Sequence, residues 1–464
     1  MNDSVELWRT DGHFWLGHDE AHPISGSLIY FDNGKCHLEL KGIFGAEGSN
    51  PFNICGLKLP PIYGKTKKFR SITLLKGIEN GRSLYLDGEN PHESIVSTRQ
   101  LLTSTVPHDF DVSPVLMVKA VLMGLEKWLG ISGFTLNFGT DFHGLKVNFE
   151  LPDAITFNIE NDFDVAFGFG YQSPSITWPQ TEVSIKQIAY LEIITHNPKP
   201  LEDIRRVLQK VIDLISLAVS VPLYVIELEA KFAIPSSAAN GQWAKVWVER
   251  HPVIDKIPHS MEMLLPFPEV RGRFQSMLNA WMSSLENIEP TYQLYFATIR
   301  SSTMYVQHRL FNLFQALESY HRRAIESDVE EKKKIIERRE KIISIVAGED
   351  QQWLSDKLVF CHEPSASQRI KELAVKLDAQ WIFGDKPDSV VQRIANVRNY
   401  LTHYGADRKP PDEDLKIARM MNFSSMLQVL CESVFLHSIG LTHEDANKLL
   451  REKRRLEKIT FSED

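Results

Sequence analysis

The sequence predicts an α+β multidomain protein: a β-rich N-terminal region (sandwich or open barrel), a mixed α/β middle, and an all-α helical bundle at the C-terminus. Three observations carry this. Up to about residue 190, apolar and polar positions alternate in short runs separated by Gly, Asn and Pro. Asn197-Pro198-Lys199-Pro200 then breaks the pattern, and from about Glu269 apolar residues recur at helical spacing. At 464 residues the chain is also too long for one core and should hold two or three domains. The expected boundaries are 1–190, 191–290 and 291–464, the middle section standing alone or extending the first domain.

Taken in order, Ser27-Leu28-Ile29-Tyr30-Phe31 and Lys35-Cys36-His37-Leu38-Glu39-Leu40 flank Asp32-Asn33-Gly34 and read as a hairpin, because Asn-Gly tolerates positive φ angles. A second hairpin is expected from Ser71–Leu75 to Ser83–Leu86 around Glu79-Asn80-Gly81. Further strands are expected at Leu145–Leu151, Ala154–Ile159, Val165–Tyr171 and Val183–Ile194, and at Val115–Leu125, whose apolar run fits strand or helix and is assigned to strand. Leu201, Ile204, Leu208, Val211, Ile212 and Ile215 then keep helical spacing, and Pro222 separates that helix from strands at Leu223–Glu229 and Ala244–Val248. Helices follow at Phe274–Leu285, Tyr305–Ile325, Glu330–Ile345, Arg369–Leu377, Val390–Tyr404 and Leu415–Ile439, with a last one running through Leu456.

The composition is that of an ordinary globular chain, 43% hydrophobic and 24% charged. A net charge of −8 excludes a general nucleic-acid coat but permits a local RNA patch. The four cysteines, Cys36, Cys55, Cys361 and Cys431, form no Cys-x-x-Cys pair, which speaks for a reducing compartment and against a zinc ribbon. The N-terminus lacks a signal-peptide pattern, and the longest uncharged apolar run, Leu214–Ile226, is shorter than the roughly 20 residues a bilayer requires. A cytoplasmic protein without a membrane partner is expected. Phosphate-loop, zinc-protease and nucleophile-elbow motifs are absent, and Asp141-Phe142-His143 is too small a cluster to imply a metal. No cofactor and no metal are expected.

The most informative stretch is Val397-Arg398-Asn399-Tyr400-Leu401-Thr402-His403-Tyr404-Gly405. Val390, Ile394, Val397, Leu401 and Tyr404 form an apolar helical stripe, and Gly405 offers a left-handed stop. A histidine moves protons near neutral pH, and a guanidinium holds a phosphate as charge develops on it; together they suit cleavage of RNA. On an ideal helix positions 398 and 403 point about 140° apart. Either the last turn unwinds near Gly405 or a second helix, including one from a second subunit, completes the site. By spacing alone Arg-x4-His is uninformative, since a chain of this composition contains about one by chance. The following Asn and the helix-end placement sharpen it. The competing account makes Arg398 a surface cation and His403 a helix-end residue favoured by the macrodipole.

Arg398-Asn399-x-x-x-His403 resembles the R-[polar]-x-x-x-H motif of HEPN-domain ribonucleases, helical bundles that usually work as dimers. Gln315-Ala316-Leu317-Glu318-Ser319-Tyr320-His321-Arg322-Arg323 resembles the first long helix of the ApeA-like anti-phage subgroup, which also carries a β-rich N-terminal region. The resemblance implies a HEPN-like bundle, a homodimer and a metal-independent endoribonuclease of bacterial abortive infection. In it Arg398 grips the scissile phosphate, Asn399 orients the phosphate or the histidine, and His403 transfers the proton. The substrate would be tRNA or another cellular RNA, and the N-terminal regions would sense a phage-derived trigger and restrain the nuclease.

Glu318, His321 and Arg322 share one helix face and are read either as RNA-binding or supporting groups facing the Arg398 helix, or as an exposed ion pair. Tyr400 is a candidate for stacking on a base. The basic tail Lys448, Arg451, Lys453, Arg454, Arg455 and Lys458 is either a guide for an RNA backbone or a solvated helix. A non-enzymatic alternative remains for the whole chain: a dimerisation or binding bundle joined to a β-rich recognition domain.

Overall fold

The computed structural model describes residues 4–17, 19–44, 58–83, 92–105, 114–138, 144–159, 162–173, 183–234, 237–249, 257–325, 329–403 and 411–454. The chain forms two compact units, one of Met1–Val219, Leu223–Met261 and Pro266–Glu269, the other of Ser220–Pro222, Glu262–Leu265 and Val270–Asp464.

In the first unit β1 (Glu6–Leu16), β2 (Ile24–Phe31), β3 (Cys36–Leu40), β4 (Ile62–Thr66), β5 (Ser71–Leu75), β6 (Ile78–Ser83), β7 (Glu93–Thr98), β8 (Gln100–Ser104) and β9 (Val115–Leu122) lead to a short helix α1 (Leu125–Leu129). There follow β10 (Phe134–Phe138), β11 (Leu145–Phe149), β12 (Ile155–Ile159), β13 (Phe163–Gln172), β14 (Lys186–Lys199), α2 (Leu201–Val219), β15 (Val225–Ile234) and β16 (Ser237–Val246). Among the described residues fourteen strands pair in one antiparallel row, β12-β13-β14-β9-β15-β16-β8-β5-β4-β1-β2-β3-β7-β6, while β10 and β11 pair only with each other. Alternation explains the row: Phe14, Leu28, Tyr30, Leu38, Ile62, Ile72, Leu74, Val96 and Leu101 come from seven strands yet share one apolar cluster. A bridge between Lys58, just before β4, and Ile78 of β6 brings the β4–β6 part of the row back on itself, as in an open barrel. The buried stripe of α2, including Ile204, Leu208, Val211 and Ile215, packs on β9 and β14. Strands β15 and β16 thus extend the same sheet.

The two Asn-Gly sites part company. Around the first, β2 and β3 pair as a hairpin with Tyr30 opposite Cys36. Only Gly34, at φ 73°, takes the left-handed conformation, and the Asn33 side chain accepts from the Lys35 amide, so the loop is not the two-residue turn that Asn-Gly suggests. At the second site the expected hairpin does not appear among the described residues. β5 sits between β4 and β8, and Asn80-Gly81 lies inside β6, where the register against β7 slips between Glu79 and Gly81. The permissive residues make a bulge there. The buried Glu79 carboxylate takes two hydrogen bonds from Arg82, at 2.6 and 2.7 Å. Residues 84–86 of the expected hairpin lie outside the described residues.

After α3 (Phe267–Val270) the second unit is helical: α4 (Phe274–Arg300), α5 (Val306–Ala324), α6 (Val329–Ile345), α7 (Glu349–Lys357), α8 (Ala366–Lys376), α9 (Pro387–His403), α10 (Ile417–Ser438) and α11 (His443–Lys453). α5 is its spine, packed by α4, α8, α9 and α10. Leu310, Leu313, Phe314 and Leu317, at spacings of three and four, are fully buried. No described helix is long and apolar enough to cross a membrane.

The basic tail is not uniformly solvated. Glu432 lies inside α10 and is 1% exposed, and Arg454 reaches it through Nε at 2.7 Å and Nη2 at 3.0 Å while Tyr295 of α4 donates to it at 3.1 Å. A buried carboxylate demands such a partner. Burial, together with Glu432, holds the Tyr295 hydroxyl well above its ordinary pKa. Arg451 lies over the Trp381 ring at 5.1 Å. Arg455, Leu456 and Lys458 lie outside the described residues. Arg454→Ala should therefore destabilise the helical unit by about 3–5 kcal/mol, seen as a lower denaturant midpoint. An unchanged midpoint would return Arg454 to the role of a free basic group.

Candidate functional site

α9 starts at Pro387, whose fixed φ suits the first helical position, and runs unbroken through His403. Val390, Ile394 and Val397 of its apolar stripe are fully buried. That burial turns Arg398, next along the chain, toward α5. Tyr404 and Gly405 lie outside the described residues.

Arg398 is embedded. Its Nη2 donates to Glu318 Oε2 on α5 at 2.8 Å, and Nη1 donates to Asn399 Oδ1 at 3.1 Å. The guanidinium carbon lies 5.8 and 5.5 Å from the ring centres of Phe311 and Phe314, within cation–π range. The Arg398 side chain is 19% exposed and that of Glu318 7%. Among the described residues the Arg398 Nε hydrogen has no acceptor. Among the described residues each terminal nitrogen uses one of its two protons in these bonds. Nothing here fits a surface cation: the charge is matched by a buried carboxylate and shielded by two rings.

Position 403 is the last helical residue, one turn beyond Asn399. The helix stays regular up to it, and the expected unwinding near Gly405 lies outside the described residues. Tyr400 is half-buried on α9.

The other α5 residues form a second polar centre one turn on. His321, 4% exposed, has Nε2 at 2.6 Å from Glu372 Oε2 and Nδ1 at 3.2 Å from Arg369 Nη1, both partners on α8. Arg369 can only donate, so Nδ1 accepts and Nε2 carries the proton toward Glu372. Arg369 Nη2 also donates to Glu363 Oε2 at 2.8 Å, and Arg322 Nη1 reaches the same oxygen at 2.9 Å. The expected alternative of an exposed Glu318–Arg322 pair does not form. Glu318 turns to α9, and Arg322, half-exposed, turns to Glu363.

Burial lowers the His321 pKa below its ordinary 6.5, with Arg369 and Arg322 adding to the shift and Glu372 opposing it. Arg369 is lowered by burial first and by Arg322 second. Sequence reasoning missed Arg369, Glu372 and Glu363 as partners of this centre. Their only signal was that 369 and 372 share a helix face, and no local pattern links them to a helix some fifty residues earlier. Cys36, Cys361 and Cys431 are free thiols, and no group of three or more His, Cys, Asp or Glu among the described residues converges as a metal site.

Two predictions follow from this geometry. Arg398→Ala leaves Glu318 buried without its cation and should cost about 3 kcal/mol or more, while adding Glu318→Gln should restore part of it. A double-mutant cycle in denaturant checks this, and additive losses would show that the two side chains are uncoupled. For His321, a folded pKa below 6.5 means the unfolded state binds the extra proton first. Its contribution is present above pH 6.5 and is lost as pH falls through the lower folded value. Acidification should thus destabilise the wild type more than His321→Gln, which thermal melts at several pH values would reveal.

Residues 9–281 match the family model described as ApeA N-terminal domain 1, and residues 311–445 match that of the Apea-like HEPN domain. No curated protein and no solved structure matches the chain. The second match spans α8, α9 and α10 and most of α5, and so holds Glu318, His321, Arg369, Arg398 and His403.

Proposed function

Because the chain belongs to the ApeA-like HEPN anti-phage family, and HEPN domains are generally ribonucleases, we propose that it is a metal-independent endoribonuclease of that defence. The observation that carries this reading is the guanidinium of Arg398, preset between Glu318 and two phenylalanine rings with unspent donors, at the start of an Arg-Asn-x-x-x-His run inside the HEPN match.

In this mechanism the ribose 2′-oxygen attacks the adjacent phosphorus as the bond to the 5′-oxygen breaks. Arg398 holds the phosphate and stabilises the charge that grows on it. His403 takes the 2′-hydroxyl proton or protonates the departing 5′-oxygen, leaving a 2′,3′-cyclic phosphate and a 5′-hydroxyl. One straight helix cannot aim both groups at one phosphate. A homodimer with two facing motifs meets that constraint and sets one histidine on each side of the phosphate. Asn399 orients the phosphate or the histidine, and Tyr400 offers a face to a base. The β-rich unit serves as sensor and brake, answering a phage-derived trigger in the bacterial cytoplasm, with tRNA or another cellular RNA as substrate.

A second reading, a non-catalytic dimerisation or binding module, is favoured by the same embedding of Arg398, because a cation held by Glu318, Asn399 and two rings also serves packing alone. Incubating full-length protein with total cellular RNA in excess EDTA, beside His403→Ala, separates the two. The nuclease reading expects discrete fragments with cyclic-phosphate ends and a loss of about 100-fold or more in the variant. Cleavage equal in both proteins, or absent in both even with extract of infected cells, would leave only the binding module.

A further inference from the structure

A cleft of about 670 Å³ opens beside the His321 centre. Its wall is built from the end of α5 (Arg322), from α6 (Lys332), from the loop before α8 (His362, Glu363) and from α8 itself (Arg369, Lys376). Its volume is that of a small-molecule or nucleotide pocket rather than of a packing defect. Its charge runs against that of the chain, whose net is −8. Four basic side chains, Arg322, Lys332, Arg369 and Lys376, face two carboxylates, Glu363 and Glu372, among the described residues.

The pairing sharpens that excess. Arg322 and Arg369 both donate to one oxygen, Glu363 Oε2, so one carboxylate serves two guanidinium groups. Lys332 and Lys376 are exposed. A buried Arg369 is costly, and its lowered pKa reflects that burial and the neighbouring Arg322. It is held in place by His321 Nδ1, whose other nitrogen is fixed on Glu372. A metal is not the ligand this arrangement fits. Both His321 nitrogens are engaged, two guanidinium groups stand in the way, and the His, Cys and Glu of the wall do not converge. An anion with several oxygens fits: it would relieve the repulsion between the two arginines and take both lysines.

We infer that the cleft formed by α5, α6 and α8 is a phosphate-binding subsite that holds the strand next to the bond cut at Arg398. Glu318 and His321 sit three residues apart on α5, so one helical turn joins the carboxylate that sets Arg398 to the histidine that sets Arg369. The inference relies on the nuclease reading only for the identity of the strand. Its test uses a strand that cannot be cut, so the two fail separately.

Full-length protein carrying His403→Ala is compared with the same protein carrying Lys332→Gln and Lys376→Gln as well, and a second comparison uses Arg322→Gln. The probes are a 2′-O-methyl single-stranded oligonucleotide and adenosine 5′-monophosphate, titrated across about 50 to 200 mM salt. Equal melting temperatures would confirm that the exposed lysines do not carry the fold. The expected result is an oligonucleotide affinity about tenfold weaker, with a salt slope shallower by about 1.4 for two phosphate contacts on a single strand. Parallel loss for the mononucleotide would show that a free phosphate ester also enters. Loss for the oligonucleotide alone would mark a strand subsite. If neither probe changes affinity in either comparison, the cleft is not a phosphate site.

Discussion

The buried charge on α5 is the constraint from which the helical unit takes its form. Glu318 and His321 lie on the same buried side of α5 as Leu310, Leu313, Phe314 and Leu317 and are themselves buried, so their polar atoms need partners inside the protein rather than water. Arg398 answers the first, and Arg369 with Glu372 answers the second. Apolar burial alone leaves helices free to slide and rotate, because it has no direction. A guanidinium locked on a carboxylate at 2.8 Å removes that freedom and sets the rotation of α9 about its own axis. Glu432 with Tyr295 and Arg454 does the same between α4, α10 and the segment after α11.

This double use of charge bears on function. A residue that organises the fold and also faces a ligand is already paired before any substrate arrives. Arg398 is oriented by Glu318 and two rings, so in the proposed mechanism a phosphate would meet a preset fork rather than a mobile side chain. The cost is that loss of activity after a change at Arg398 or Glu318 does not by itself separate chemistry from folding. Lys332 and Lys376, at the surface, are positions where a functional reading is less entangled with stability.

The first unit meets its polar demands differently. Its backbone groups pair strand to strand over fourteen strands, and its apolar cluster comes from alternate residues of many strands, so few buried charges are needed. The Glu79–Arg82 pair at the β6 bulge is a local exception, closed within three residues. Overall negative charge and a locally cationic cleft are compatible for the same reason that a patch suffices for RNA: attraction acts over about a Debye length, not over the whole surface.

Much was legible in the residues themselves, because period reports burial. The stripe Val390, Ile394, Val397 foretold α9, Leu310, Phe314 and Leu317 foretold the face of α5, and alternation foretold a β-rich first half. The Arg-Asn-x-x-x-His run and the Glu318–Arg322 face drew attention to the helices that do meet. What stayed hidden was pairing between distant segments. Asn-Gly permits a turn at Gly34 and a bulge at Gly81 alike, and only the neighbouring strands choose. Whether Glu318 turns to Arg322 four residues on or to Arg398 eighty residues on is likewise undecided by spacing, since either cation satisfies the carboxylate. Local sequence determined which faces are apolar and which side chains carry charge. Packing decided which charges are buried, and a buried charge must take the partner that the fold brings within reach.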